Sequence, residues 1–395
     1  MHISSLPGSF SIGSFGSEAK RFVDFLTDAG FKVWQVLPFC KTDEYNSPYR
    51  PDLVRSINPY FIDLEILGGK GLITKRELDE HKQRSAGQCE FDFLRRSRMS
   101  LLEKAASRSG ETGFIFNEFL RQWKEIKKYA NTNGVEVIGD LPFYISPESV
   151  EVEKQPDLFI CDKVAGVPPD YFNKNGQLWG NPLYNWNEMK KDGYRWWRER
   201  LKFMAEMFDM VRIDHFRAVE SAWAVPIGEK TATRGEWIKG PGMELVRSIR
   251  ETAGDTGIIA EDLGDITPEV EALVKESGFP GMRVFQFGFS GEQDNPHRPE
   301  NYPENCVAYS GTHDNDTLRG FLPADVTTES VIEEIFASRA NIVIFPIQDL
   351  LGLGSEARMN YPGRAEGNWG FRVTAEQMTE IDRKYFRKLS RKYSR

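Results

Sequence analysis

Residues 210–217 read Met210-Val211-Arg212-Ile213-Asp214-His215-Phe216-Arg217. The stretch begins like a buried strand and then places four ionisable side chains within six positions. Cores rarely accept that density of charge unless the charges are paired and used. An apolar strand that ends in charge is the pattern from which the fold reading starts. The same pattern recurs along the chain.

Short apolar, β-branched runs occur at 32–38 (KVWQVLP), 135–142 (VEVIGDLP), 210–214 (MVRID), 257–264 (GIIAEDLG), 282–289 (MRVFQFGF), 306–311 (CVAYSG) and 341–346 (NIVIFP). Helical patterns precede several of them, at 17–30, 118–134 and 194–208. The first two of these end in Gly, a common helix terminator. Strands alternating with helices imply parallel pairing with crossover helices. Near-continuous apolar runs fit strands covered on both faces. MHISS (1–5) would be an eighth strand, with FIDLE (61–65) a competing candidate. Eight strands suggest a closed (β/α)8 TIM barrel with helical insertions, spanning 1–395 as one catalytic domain. The charged segment 66–117 reads as helical decoration, and 44–134 as a reduced insertion subdomain.

Composition narrows the partners. The chain has 395 residues, 40% of them apolar, and a formal charge of −8. That balance argues against nucleic acid and against an anionic membrane surface, both of which favour a basic face. The longest apolar runs are too short to span a bilayer. Four Cys at 40, 89, 161 and 306 form no CxxC pair, which disfavours a zinc ribbon or a redox pair. Dispersed thiols and the lack of a signal-peptide pattern suit a reducing cytoplasm. A Gly-rich run at 8–17 lacks the GK[ST] of a phosphate loop and reads as a turn before a helix. The basic run in the last dozen residues reads as a solvated helix end.

Polar residues collect where the strands end. Asp140 closes VIGD. Asp214 closes RID, with His215 and Arg217 beyond. Glu261 and Asp262 close IIAED, and His313, Asp314 and Asp316 follow AYSG. In a (β/α)8 enzyme these C-terminal ends converge on the active site. A single Asp there could be a helix N-cap, but four strands ending this way with His and Arg beside them are poorly explained as caps. Glycoside transfer uses such a cluster: one carboxylate attacks, and a second carboxyl about 5–5.5 Å away acts as acid and then base. Arg212 and Asp214 are two apart, so on a strand they share a face, and Arg212 can keep Asp214 ionised. The acid must hold its proton near neutral pH, which burial beside a carboxylate would achieve. His215 and Asp262 should turn to the opposite face by alternation, and Asp316 to its own loop.

The chain resembles the 4-α-glucanotransferases known as amylomaltases or disproportionating enzymes, relatives of the α-amylase clan. The resemblance runs through WQVLP (34–38), NSPY (46–49), NPYFIDL (58–64), IGDLPFYIS (138–146), AGVPPDYFNKNGQLWGNPLYNW (165–186), VRIDHFRA (211–218), IIAEDLG (258–264), PGMRVFQFGF (280–289), SGTHDNDT (310–317) and IQDLLGLGSEARMN (347–360). It implies a barrel with insertions and no organic cofactor or catalytic metal. Asp214 would be the nucleophile, Glu261 the acid/base, and Asp314 the carboxylate that holds the sugar hydroxyls. Arg212 would pair with Asp214, His313 would contact the same sugar, and Asp140 would support them. Ser47 and Tyr49 resemble acceptor contacts. Donor and acceptor would be α-1,4-glucans, maltooligosaccharides or glucose.

Segment 165–186 reads as a substrate-binding loop, since Pro and Gly interrupt regular structure. Tyr171, Phe172 and Trp179 offer faces to sugar; Asp170, Gln177 and Asn181 offer hydrogen bonds. Core packing for Trp179 and turn chemistry for Asn181 are the bland alternatives. The chain also departs from the family. The insertion before IGDLPFYIS and the segment before IQDLLGLG are short, and RPDLVRSI (50–57) replaces the usual run after NSPY. Weaker binding of long chains is the expectation. A hydrolytic α-glucosidase or amylase, and a non-catalytic glucan-binding protein, are the competing functions at this stage.

Overall fold

The computed structural model describes residues 1–83, 87–169, 173–289 and 292–395. Eleven strands are present among them: β1 (Val33–Gln35), β2 (Glu136–Leu141), β3 (Phe159–Val167), β4 (Gln177–Tyr184), β5 (Met210–Ile213), β6 (Ser221–Pro226), β7 (Glu236–Lys239), β8 (Gly257–Ala260), β9 (Gly281–Val284), β10 (Cys306–Tyr309) and β11 (Ile342–Ile344). Seven of them form one sheet in the order β1-β2-β5-β8-β9-β10-β11. Its strands run parallel and nearly close into a barrel of the (β/α)8 class. The other four form an antiparallel sheet, β4-β3-β6-β7.

Two strand readings are corrected. MHISS is not a strand: Ile3–Ser5 makes a 3-10 turn. FIDLE likewise divides between a 3-10 turn, Pro59–Phe61, and a helix, Leu64–Gly69, capped by the Asp63 side chain on Ile66 N–H. The reason is local: Asn58 and Asp63 accept backbone N–H bonds two and three residues on, and this turns the chain instead of extending it. The run 282–289 also shortens, because Phe285–Gly288 is helical. The helical reading of 66–117 agrees with helices at Lys75–Glu80 and Phe91–Ser109.

The chain packs as two compact units. One comprises Met1–Leu37, Ile57–Ile138 and Arg283–Arg395; the other comprises Pro38–Ser56 and Gly139–Met282. Segment 44–134, expected as a subdomain, is therefore shared between them. The first unit is built on a buried aromatic cluster in which Phe15 packs on Phe61, Phe119 and Trp123, with ring centroids 5.0–5.8 Å apart. Its helix Ser17–Ala29 ends at Gly30, whose φ of 82° supplies the left-handed cap. That glycine lies against the C-terminal helix Arg383–Lys392, where a methyl added to it would come within 3.3 Å of the Ser390 Cβ.

In the second unit β5 pairs with β8 in register, Arg212 opposite Ile259 and Ile213 opposite Ala260. Val211 and Ile213 are fully buried, each contributing roughly 1.5–3 kcal/mol. Gly139 sits in β2 because any Cβ there would lie 2.2 Å from the Phe208 ring. Segment 165–186, expected as a loop, contains the end of β3 and all of β4, which pair antiparallel. Pro182 is tolerated because it falls where the register shifts between Ile160 and Val164, as bulges permit. Asp170, Tyr171 and Phe172 lie outside the described residues.

Candidate active site

Arg212 organises the charges in the second unit. Its Nη1 reaches Asp140 Oδ1 at 2.8 Å, Asp140 Oδ2 at 2.9 Å and Asp214 Oδ1 at 2.9 Å. Its Nε donates to the Met282 sulfur at 3.3 Å. Burial works against the guanidinium charge, but Asp140 and Asp214 outweigh it and drive its pKa well up. Asp140 is 1% exposed and takes a further bond from the Tyr49 hydroxyl at 2.8 Å. Asp214 differs: 27% of its side chain is open. The sequence paired Arg212 with Asp214 alone; the structure makes the arginine common to both carboxylates, one sealed and one accessible.

Glu261 stands beside this pair at the end of β8. Its Oε2 accepts the His215 N–H at 2.6 Å and its Oε1 the Leu263 N–H at 2.8 Å. Backbone bonds also lock the two strand ends, Glu261 N to Ile213 O at 3.1 Å and Phe216 N to Glu261 O at 3.0 Å. Burial is the largest influence on the carboxyl. Burial and the Asp214 charge outweigh Arg212 and the two N–H donors, so the pKa is pushed up to about 8. One carboxylate ion-paired with an arginine beside one held protonated by burial is the division of labour that acid-assisted displacement requires.

His215 is placed by backbone strain. Its φ of 48° puts a non-glycine residue in the left-handed region. The turn directs its N–H at Glu261 and its ring into an aromatic group, 4.7 Å from Trp179 and 6.0 Å from Tyr144 between centroids. Burial and the neighbouring Arg217 push the imidazole pKa down to about 3, so it is neutral at pH 7. Alternation placed His215 off the Asp214 face, but it did not reveal that the residue's amide serves the second carboxyl. Asp262, as expected, turns elsewhere and accepts the Met282 N–H at 2.6 Å.

The other candidates differ in how they are held. Ser47 Oγ accepts from Tyr49 N at 3.3 Å, shaping the turn that delivers Tyr49. Trp179 Nε1 donates to Gln177 Oε1 at 3.2 Å, which fixes the indole. Asn181 is buried and gives its amide N–H to Ile145 O at 2.8 Å; it braces the hairpin. Arg200, which sequence reasoning missed, is buried and donates to the carbonyls of Pro142, Phe143 and Tyr144, holding the turn just beyond Asp140.

In the first unit His313 and Asp314 stand together, Nε2 to Oδ1 at 3.4 Å. Asn360 donates to Asp314 Oδ1 at 2.6 Å and Arg358 to its backbone carbonyl at 2.5 Å. Asn360 was missed as a site residue although it ends the quoted motif ARMN. Asp349 underlies the same loop, accepting from Ser310 Oγ at 2.6 Å and Leu318 N at 2.7 Å. Asp316 serves its loop, as expected, through Thr317 N and Ser355 Oγ. No group of three or more His, Cys, Asp or Glu among the described residues could hold a metal ion. No helix among them is long and apolar enough to cross a membrane.

A parallel barrel with an arginine-braced aspartate and a buried glutamate at neighbouring strand ends belongs to the (β/α)8 class of folds. The fold comparison agrees: an α-amylase from Lactobacillus plantarum superposes with a TM-score of 0.57 at 15% identity, over 100% of this chain and 78% of that one. The 4-alpha-glucanotransferase family model matches residues 1–120 and 111–378, and the chain belongs to that family. A 4-alpha-glucanotransferase of Clostridium butyricum is 37% identical over 489 residues, covering 100% of both chains. That of Thermus thermophilus is 35% identical over 96% of this chain and 95% of its own. The amylomaltase from Streptococcus agalactiae in complex with acarbose superposes with a TM-score of 0.92 at 33% identity, over 100% of this chain and 98% of that one. The comparison with the Clostridium butyricum protein runs over 489 residues, against the 395 of this chain.

Proposed function

We propose that this chain moves α-1,4-glucan segments between maltooligosaccharides by a retaining, two-step displacement centred on Asp214. The observation that carries the reading is the Arg212–Asp214 contact beside a protonated Glu261. Asp214 is ionised and accessible, so it attacks the anomeric carbon. Glu261 gives its proton to the departing oxygen, and the released glucan leaves behind a covalent glycosyl-enzyme. Glu261, now ionised, takes the proton from the 4-hydroxyl of an acceptor glucose or glucan, which displaces Asp214. Two inversions give net retention.

Tyr49 holds Asp140, Asp140 holds Arg212, and Arg212 holds the nucleophile. Asp314 and His313 are assigned to the sugar hydroxyls by motif, with Asn360 orienting Asp314. Trp179, fixed by Gln177 and His215, is assigned to an acceptor sugar, whose apolar face suits an indole while its hydroxyls need polar partners. Transfer exceeds hydrolysis to the extent that the acceptor is held there and water is not. Four dispersed cysteines suit work in a reducing cytoplasm.

Incubation with maltotriose tests the reading. A ladder of longer and shorter maltooligosaccharides with glucose is expected; glucose and maltose alone would indicate a hydrolase instead. Asp214→Asn should abolish the ladder while calorimetry still detects maltooligosaccharide binding. Undiminished transfer in that variant would refute the mechanism.

A further inference from the structure

Trp237 has no part in the chemistry described so far, yet it is held in place while 40% exposed. It stands on the edge strand β7 directly opposite Trp223. The two indoles meet edge to face, 5.2 Å apart at 66°. Trp223 is itself tied down by its Nε1 bond to Ala232 O at 2.9 Å, and Ala232 is fully buried. The Arg217 guanidinium lies 3.9 Å over the Trp237 ring, a favourable cation–π stack. A large aromatic ring restrained by two neighbours and still open to water is preorganised for an amphipathic ligand.

The surroundings say which ligand. Arg217 is 3% exposed and donates to Ser221 O at 3.1 Å, while its Nε has no acceptor. It lies three residues beyond Asp214, in the turn Phe216–Val219, and it feels the charge of Asp265 and the Tyr144 hydroxyl. Asp265 is exposed on the loop that leaves β8 just after Glu261. Tyr144 is one of the rings packed on His215. The Trp237 platform therefore continues from the groups around Asp214 and Glu261 within the same unit.

We infer that Trp237, backed by Arg217 and flanked by Asp265, is a subsite for the outer sugars of a longer α-glucan on the acceptor side. This rests on the reading of Glu261 as the group that serves the leaving and attacking oxygens. A glucose ring presents a C–H face to an indole and a rim of hydroxyls to an exposed carboxylate such as Asp265, while buried Arg217 only holds the indole in place. A single acceptor glucose would not extend to it; a chain of several units would.

Calorimetry on the Asp214→Asn protein separates this inference from the reaction itself, because no turnover is needed. Maltoheptaose and maltose are titrated into D214N, D214N/W237A, D214N/W237F and D214N/D265A. Removing the indole should weaken maltoheptaose about tenfold, the loss typical of one well-held aromatic anchor, and maltose much less. Phe should recover part of the loss, and D265A should also select against the longer ligand. Equal weakening of both ligands, or no weakening in W237A and D265A alike, overturns the subsite. Near-UV circular dichroism shows whether W237A retains its fold; if it does not, W237F and D265A decide the question. Full transfer activity in D214N would sink the mechanism proposed above while leaving these affinities interpretable.

Discussion

Replacing Glu261 by Gln should flatten the dependence of stability on pH. Burial is the main reason the native carboxyl holds its proton up to about 8, against an ordinary 4.5. In the unfolded chain it titrates at the ordinary value. Between those two values the native state keeps a proton that the unfolded state has released. Stability therefore falls as pH rises from about 4.5, and the full share is lost above about 8. Roughly 3.5 pH units at about 1.4 kcal/mol each give about 5 kcal/mol. This is an upper value, because effective dielectric constants near ~20 describe such sites better than ~4.

Urea midpoints at pH 5 to 9 measure this, provided the slope of the unfolding line stays constant. Gln can accept the His215 N–H but turns an amide N–H₂ toward the Leu263 N–H, so a constant penalty of about 1–3 kcal/mol is expected at every pH. The discriminating quantity is thus the slope. The wild-type midpoint should drop from pH 5 to 9 relative to the variant, narrowing or reversing the initial gap. Parallel profiles would refute the claim that Glu261 is held protonated, and with it the acid role assigned to it.

Arg212→Met should cost about 3–5 kcal/mol, because Asp140 is left buried without its cation; thermal melts would register it. Adding Asp140→Asn should return part of the stability without restoring transfer, and full restoration of transfer would show that Arg212 acts only on Asp140. In the single variant the acid limb of the pH–rate profile should move to higher pH, since Asp214 loses the charge that keeps it ionised. Gly139→Ala should destabilise by about 1–3 kcal/mol, as a methyl added there in β2 would press on the Phe208 ring. An unchanged melting temperature would mean that ring has room to retreat.

The barrel class and the strand-end carboxylates were legible because both rest on local pattern: apolar runs of strand length, and charge where each run stops. Asp140, Asp214 and Glu261 follow from that rule with no knowledge of the fold beyond parallel pairing. The antiparallel sheet was not legible. FICDKVAGV, SAWAVP and EWIK carry Gly, Pro or charge that weakens the strand signal, and QLWGNPLY was taken for a loop on its Gly and Pro. Its strands are specified instead by cross-strand packing, Gly166 opposite both Trp223 and Leu178, which no single segment displays. MHISS failed in the opposite direction, as a pentapeptide read as a strand that turns instead.

The alternation rule explains both the success and the gap at Asp214. Residues two apart on a strand share a face, so Arg212 and Asp214 could be paired from the sequence alone. The rule is silent about the neighbouring strand. β2 lies beside β5 in the sheet, with Asp214 N bonded to Leu141 O at 3.0 Å, and this pairing brings Asp140 to the same guanidinium. Sealing one carboxylate and opening the other lets a single arginine act differently on each. At Asp140 it neutralises a charge that cannot reach water. At Asp214 it lowers the cost of ionisation without covering the oxygen that must react. A lysine could supply the charge but not a planar guanidinium whose Nη1 meets both carboxylates while its Nε is fixed on the Met282 sulfur. Arg212→Lys should therefore retain more stability than Arg212→Met and yet lose most of the transfer activity.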